Sequence, residues 1–176
     1  MTGILAQRET KRSKLRIPQP FLTLVPFCSR ISMYPPPLQA IADLFAGLTE
    51  SARRELLIHY AAGAARHAPQ PGETFDIEDI RHDRECTDKV GIHLRVSDGC
   101  HFRVTLGPEV QTLTRALASI LCEGLDSLPS AEVLALPESF VNAIAGTELI
   151  RLRSRTVYYI VRRMKEAVRA NGAAHG

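Results

Sequence analysis

One stretch of the chain concentrates reactive chemistry. Arg81-His82-Asp83-Arg84-Glu85-Cys86-Thr87-Asp88-Lys89 sets a single cysteine among charged and polar neighbours. Cysteine ordinarily behaves as a small buried hydrophobe. A cysteine centred in such a run is therefore one whose sulfur meets solvent or a partner. The chemistry open to it is that of a thiolate, the form that attacks electrophilic sulfur and binds metals. Arg84, Lys89 and His82 favour that form, whereas Glu85 and Asp88 oppose it, so the run alone does not fix the sign of the shift.

The remaining sulfurs and imidazoles read differently. Cys100 is in step with Phe102, Val104 and Leu106, which aims it at the core. Cys122 follows Leu121 on what should be an apolar helix face, and Cys28 lies in a basic leader. His82, His93 and His101 read as solvated or structural histidines. Taken together, His82, Cys86, Cys100 and His101 form the donor set of an alternative function, a zinc site or cluster scaffold. Their spacing matches no standard zinc pattern, and adjacent strand residues point to opposite faces. A stand-alone cysteine enzyme would need an orienting third group and an oxyanion pocket, and the sequence offers neither.

The elements that must carry Cys86 follow from periodicity. Leu38, Ile41, Ala42, Leu44, Phe45 and Leu48 recur at helical spacing, and a second helix capped by Thr49 places Leu56, Leu57, Tyr60, Ala61 and Ala64 on one face. Pro69-Gln70-Pro71-Gly72 reads as a loop. Val90, Ile92, Leu94 and Val96 alternate with polar neighbours, Ser97-Asp98-Gly99 turns, and Cys100–Leu106 returns, which is a hairpin. A strand around Thr74–Ile80 is weakened by Glu78 and Asp79. Pro108 should open a long helix with Val110, Leu113, Leu117, Ile120 and Leu121 inward and its end at Gly124. Short helices are expected at Ser130–Leu136 and Pro137–Ala145. The last helix, capped by Ser154, buries Val157, Ile160, Val161, Met164 and Val168 and ends at Asn171-Gly172, with its arginines on a solvated face. The expected class is α+β, a small antiparallel sheet packed against several helices.

Whole-chain composition narrows the partners. At 176 residues the chain is long enough for one domain with a real core. Residues 1–32 hold six basic residues against Glu9, a local +5 that leaves −2 of the chain's +3 for the rest. That is not the footprint of a nucleic-acid binder. Four irregularly spaced cysteines fit a reducing compartment. No run approaches the ~20 apolar residues of a membrane span, so no membrane partner is expected. The basic leader, 1–32, resembles an organelle transit peptide, and otherwise translation begins at Met33 and the upstream residues are spurious or disordered. The expected domain is 33–172, cytoplasmic unless the leader is a targeting signal.

The order of these elements around Cys86 resembles the SufE sulfur-acceptor family, from about Leu38 to Ala170. Its signature sets Gly-Cys ahead of a Ser and a Val-Trp-Leu strand, where this chain has Glu85-Cys86-Thr87-Asp88-Lys89-Val90-Gly91-Ile92. Arg115-Ala116-Leu117 stands for the family's Lys/Arg-Gly-Leu. Ser154-Arg155, ahead of Tyr158-Tyr159-Ile160-Val161-Arg162-Arg163-Met164, stands for its Ser-Arg pair. Glu85, Asp88 and Gly91 replace the family's glycine, serine and tryptophan. The resemblance implies a SufE/IscU-like fold and a monomer that takes persulfide sulfur onto Cys86. The donor would be a PLP-dependent cysteine desulfurase, and the sulfur would pass to an iron–sulfur scaffold complex. It implies no cofactor of the chain's own and makes Arg155, with Arg84 and Asp88, supporting residues.

Overall fold

The structure, a computed structural model, describes residues 32–82, 89–146 and 156–174. Residues 1–31, and with them nearly all of the basic leader, lie outside the described residues.

Two helices open the fold. α1 (Pro36–Ala46) begins with proline in its first turn, where the missing N–H costs no hydrogen bond. It buries Leu38, Ala42 and Phe45, while Leu44 from the expected apolar set stays exposed. α2 (Glu50–Gly63) is capped by Thr49, whose Oγ1 accepts from the Ala52 N–H at 3.3 Å. A 3₁₀ turn (Ala64–His67) continues it.

Three strands follow, β1 (Ile77–His82), β2 (Lys89–Val96) and β3 (Cys100–Leu106), in one antiparallel sheet of that order. Val90, Ile92, Leu94, Phe102 and Val104 line its inner face and are almost fully buried against α3 (Thr112–Gly124) and α6 (Thr156–Ala174). Truncating one such side chain to alanine costs about 2–5 kcal/mol. Between α3 and α6 lie the short helices α4 (Ser130–Ala135) and α5 (Phe140–Ala145). The α+β class is therefore the observed one. Among the described residues no helix is long and apolar enough to cross a membrane.

Three sequence expectations need correcting. β1 forms despite its acids, over Ile77–His82 rather than Thr74–Ile80, with Glu78 paired to His93 and Asp79 to Arg163. α3 begins at Thr112 rather than at Pro108, since Arg115 ties the intervening loop through its carbonyls, donating to Gly107 O at 2.8 Å and Val110 O at 2.9 Å. The last helix runs through Asn171-Gly172 to Ala174.

Candidate functional site

β1 and β2 pair to their last residues, His82 opposite Lys89 and Arg81 opposite Val90. Cys86, Arg84 and Asp88 belong to the connection 83–88 between those two strand ends and lie outside the described residues, as does Arg155, one residue before α6. What the structure gives is the frame that carries both ends of that connection.

The frame is polar and built from α6. Arg163, only 8% exposed, reaches from the helix into the sheet end. It donates to Asp79 Oδ2 at 2.8 Å, to the Asp79 carbonyl at 2.8 Å and to the Val90 carbonyl at 2.9 Å. One guanidinium thus joins the last turns of both strands. Asp79 is shared with Arg81, 2.9 Å away, and Arg81 in turn donates to Glu166 at 2.6 Å. The Glu166 hydrogen bond, chiefly, holds the Arg81 guanidinium still more firmly protonated. On the other side the Gly107 N–H donates to the Lys89 carbonyl at 2.9 Å, and Arg115 holds Gly107 from behind. Each strand end is therefore fixed by a tertiary partner as well as by its neighbour in the sheet.

This frame corrects the sequence reading of the last helix. Arg162 and Arg169 are exposed, as expected of a solvated face, but Arg163 is buried. Two signs could have revealed it. Asp79 falls in step with Ile77 on the inner face of its strand, and Arg163 borders the apolar stripe of Ile160 and Met164. An acid pointing inward needs a cation, and a cation beside an apolar stripe points inward.

The outer face of the sheet lies next to the same strand ends. Gly91 stands between Ile80 and Thr105 in the cross-strand rows. A Cβ added there would lie 3.2 Å from Thr105 Cβ, 3.3 Å from His93 Nε2 and 3.3 Å from Ile80 Cγ1. A side chain at this position, such as the tryptophan of the family pattern, would have to push these neighbours aside by a few tenths of an ångström. His93 is buried and fully used, with Nδ1 3.1 Å from Glu78 Oε2 and Nε2 2.9 Å from Thr105 Oγ1. A carboxylate only accepts, so Nδ1 donates to Glu78, while the Thr105 hydroxyl can serve Nε2 as donor or acceptor. It is a structural histidine.

The zinc set is not assembled by its described half. Cys100 is fully buried, its Sγ 3.5 Å from Ser130 Oγ, and burial raises its thiol pKa. His101 points the other way and spends both ring nitrogens on Asp126 and Asp98, each at 2.9 Å. Among the described residues no three histidine, cysteine or acidic side chains are grouped to hold a metal. Cys122 is buried in α3, and burial pushes its thiol up to about 12. Both core cysteines are thus held as protonated, unreactive thiols.

No family model matches the chain. Two uncharacterized SufE-like proteins from two strains of Mycobacterium tuberculosis are each 32% identical to it over 139 residues, covering 76% of this chain and 94% of theirs. The solution structure of a hypothetical protein from Thermus thermophilus superposes with a TM-score of 0.64 at 27% identity, covering 80% of this chain and 98% of that one.

Proposed function

The chain belongs to the SufE-like family, and from that membership we propose that it accepts sulfur as a persulfide on Cys86 from a PLP-dependent cysteine desulfurase and passes it on toward iron–sulfur cluster assembly. The observation that carries the reading is the placement of Cys86. It stands in the connection between two strand ends that Arg163, the Arg81–Glu166 pair and the Gly107–Lys89 hydrogen bond hold in place. A rigid frame under a short polar connection suits a sulfur that must be presented to another protein.

The transfer balances without an outside oxidant or reductant. Cys86 first loses its proton, a step that Arg84 and Lys89 favour and Glu85 and Asp88 oppose. Its thiolate attacks the outer sulfur of the donor's persulfide. A new bond forms between that sulfur and Cys86 Sγ as the donor's sulfur–sulfur bond breaks, and the donor cysteine leaves as a thiolate. The PLP chemistry that produces the donor persulfide belongs to the partner. By the family resemblance Arg155, immediately ahead of α6 in sequence, supports the site together with Arg84 and Asp88. The protein works as a monomer in a reducing compartment, cytoplasmic unless residues 1–32 direct it to an organelle.

Incubation of the full chain with a cysteine desulfurase and L-cysteine should add the mass of one sulfur atom, lost again on reduction and mapped to a peptide containing Cys86. Cys86→Ser should take up none, while Cys100→Ser should behave as the parent. Sulfur uptake that survives in Cys86→Ser would overturn the reading.

A further inference from the structure

A second feature lies away from the sheet ends. A cavity of about 530 Å³ opens between α2, the 3₁₀ turn and the last turn of α3, lined by Leu56, His59, Tyr60, Arg66, His67 and Glu123. That volume falls in the range of small-molecule sites, about 300–1,000 Å³. Its wall carries one guanidinium and one carboxylate that make no ion pair with each other or with any other described side chain. Both charges nevertheless act on the same two groups. Burial first, and then Glu123, raise the Tyr60 pKa against the opposing pull of Arg66. Burial first, and then Arg66, lower that of His67 against the pull of Glu123. Arg66 and Glu123 line the cavity alongside Tyr60 and His67 with no ion pair between them.

The cation is also held in place. Arg66 Nε donates to the Gly63 carbonyl at 3.3 Å, and a Cβ on Gly63 would lie 2.6 Å from the nearest guanidinium nitrogen. The guanidinium lies across the helix at the one residue with no side chain to lift it. His67 Nε2 is buried with no hydrogen-bond partner among the described residues, which marks a polar wall left incompletely satisfied.

We propose that this cavity binds a free α-amino acid with a neutral side chain, its carboxylate on Arg66, its ammonium on Glu123 and its side chain along Leu56 and Tyr60. The charge balance selects this class. The two fixed charges of the wall, Arg66 and Glu123, cancel. A simple anion such as phosphate gains Arg66 but faces Glu123, and an amine gains Glu123 but faces Arg66. A zwitterion satisfies both at once, and a guanidinium fork fits a carboxylate with two parallel hydrogen bonds.

The test is a titration of the full chain, followed by amide chemical shifts, with four probes: L-leucine, 4-methylpentanoate, 3-methylbutylamine and inorganic phosphate. L-leucine should shift resonances of α2 and the end of α3 and bind at least about tenfold more tightly than each of the others. Glu123→Gln should abolish the preference over 4-methylpentanoate, and Arg66→Gln the preference over 3-methylbutylamine. Gly63→Ala should weaken leucine binding while the melting temperature holds or rises, because alanine is the better helix residue. Absence of leucine shifts, equal binding of phosphate, or a preference untouched by both charge variants would overturn the proposal.

Discussion

The two ends of the sheet are held by charge in opposite ways. At the end where β1 and β2 are joined through 83–88, the tie is the buried guanidinium of Arg163 gripping a carboxylate and two carbonyls. At the other end, the hairpin turn is tied down by His101, which bridges Asp98 in the turn to Asp126 beyond α3. Cys100 adds main-chain bonds there, its N–H donating to the Leu128 carbonyl at 2.8 Å and its carbonyl accepting from Ser127 at 2.9 Å. Arginine keeps its charge throughout the accessible pH range, whereas histidine titrates within it. The cation that anchors the end carrying Cys86 therefore keeps its charge where that of the turn end titrates.

The largest expected effect breaks the first tie. Arg163→Met leaves half-buried Asp79 with Arg81 as its remaining counter-charge and frees the Asp79 and Val90 carbonyls, and should cost about 2–3 kcal/mol, read from urea unfolding. Replacing Asp79 by leucine in the same chain should recover part of that loss, because the carboxylate that lost a partner goes with it. Additive losses would show that the two residues do not act as a pair. Next comes Arg115→Met, which frees the Gly107 and Val110 carbonyls and should cost about 1–2 kcal/mol. Hydrogen exchange should speed up at Gly107, whose N–H caps the Lys89 carbonyl. Arg81→Gln removes a pair that is about half exposed on both sides, at 53% and 45%, and should change stability by no more than about 1 kcal/mol.

The smallest effect belongs to the turn and depends on pH. Hydrogen bonds to Asp98 and then Asp126 raise the His101 pKa above the ordinary 6.5, so its contribution is full below that value and fades as pH rises through the folded-state pKa. The same pair, through the His101 hydrogen bond first, brings Asp98 down to about 2 from 3.8. That contribution is full above 3.8 and is lost as pH falls toward 2. The turn is thus tied most firmly between pH 3.8 and 6.5. Urea midpoints should decline from pH 6 toward pH 8.5, and His101→Asn should flatten that decline. An equally steep decline in the variant would assign the effect to another group.

How much of this was legible depends on how far apart in sequence the partners lie. The helices at Pro36–Ala46 and Glu50–Gly63 and the β2–β3 hairpin are written in local periodicity and caps, and they form where that pattern puts them. β1 was doubtful because Glu78 and Asp79 look wrong for a strand until their partners are known, and Arg163 lies 84 residues from Asp79. Cys86 stood out because its neighbours are local. The frame beneath it did not, because each of its ties joins distant segments. The start of α3 was missed for a related reason: proline favours the first turn of a helix, but Arg115 holds the Pro108 segment in a turn of its own.

The burial of Cys100 and Cys122 has a practical corollary. Neither sulfur can close a ring with a persulfide elsewhere on the chain until the packing around it parts. A colourless aromatic disulfide reagent that gains colour on reaction would therefore modify these two only as fast as the interior breathes. Their labelling half-lives in native buffer would serve as a built-in clock for local opening of β3 and of α3.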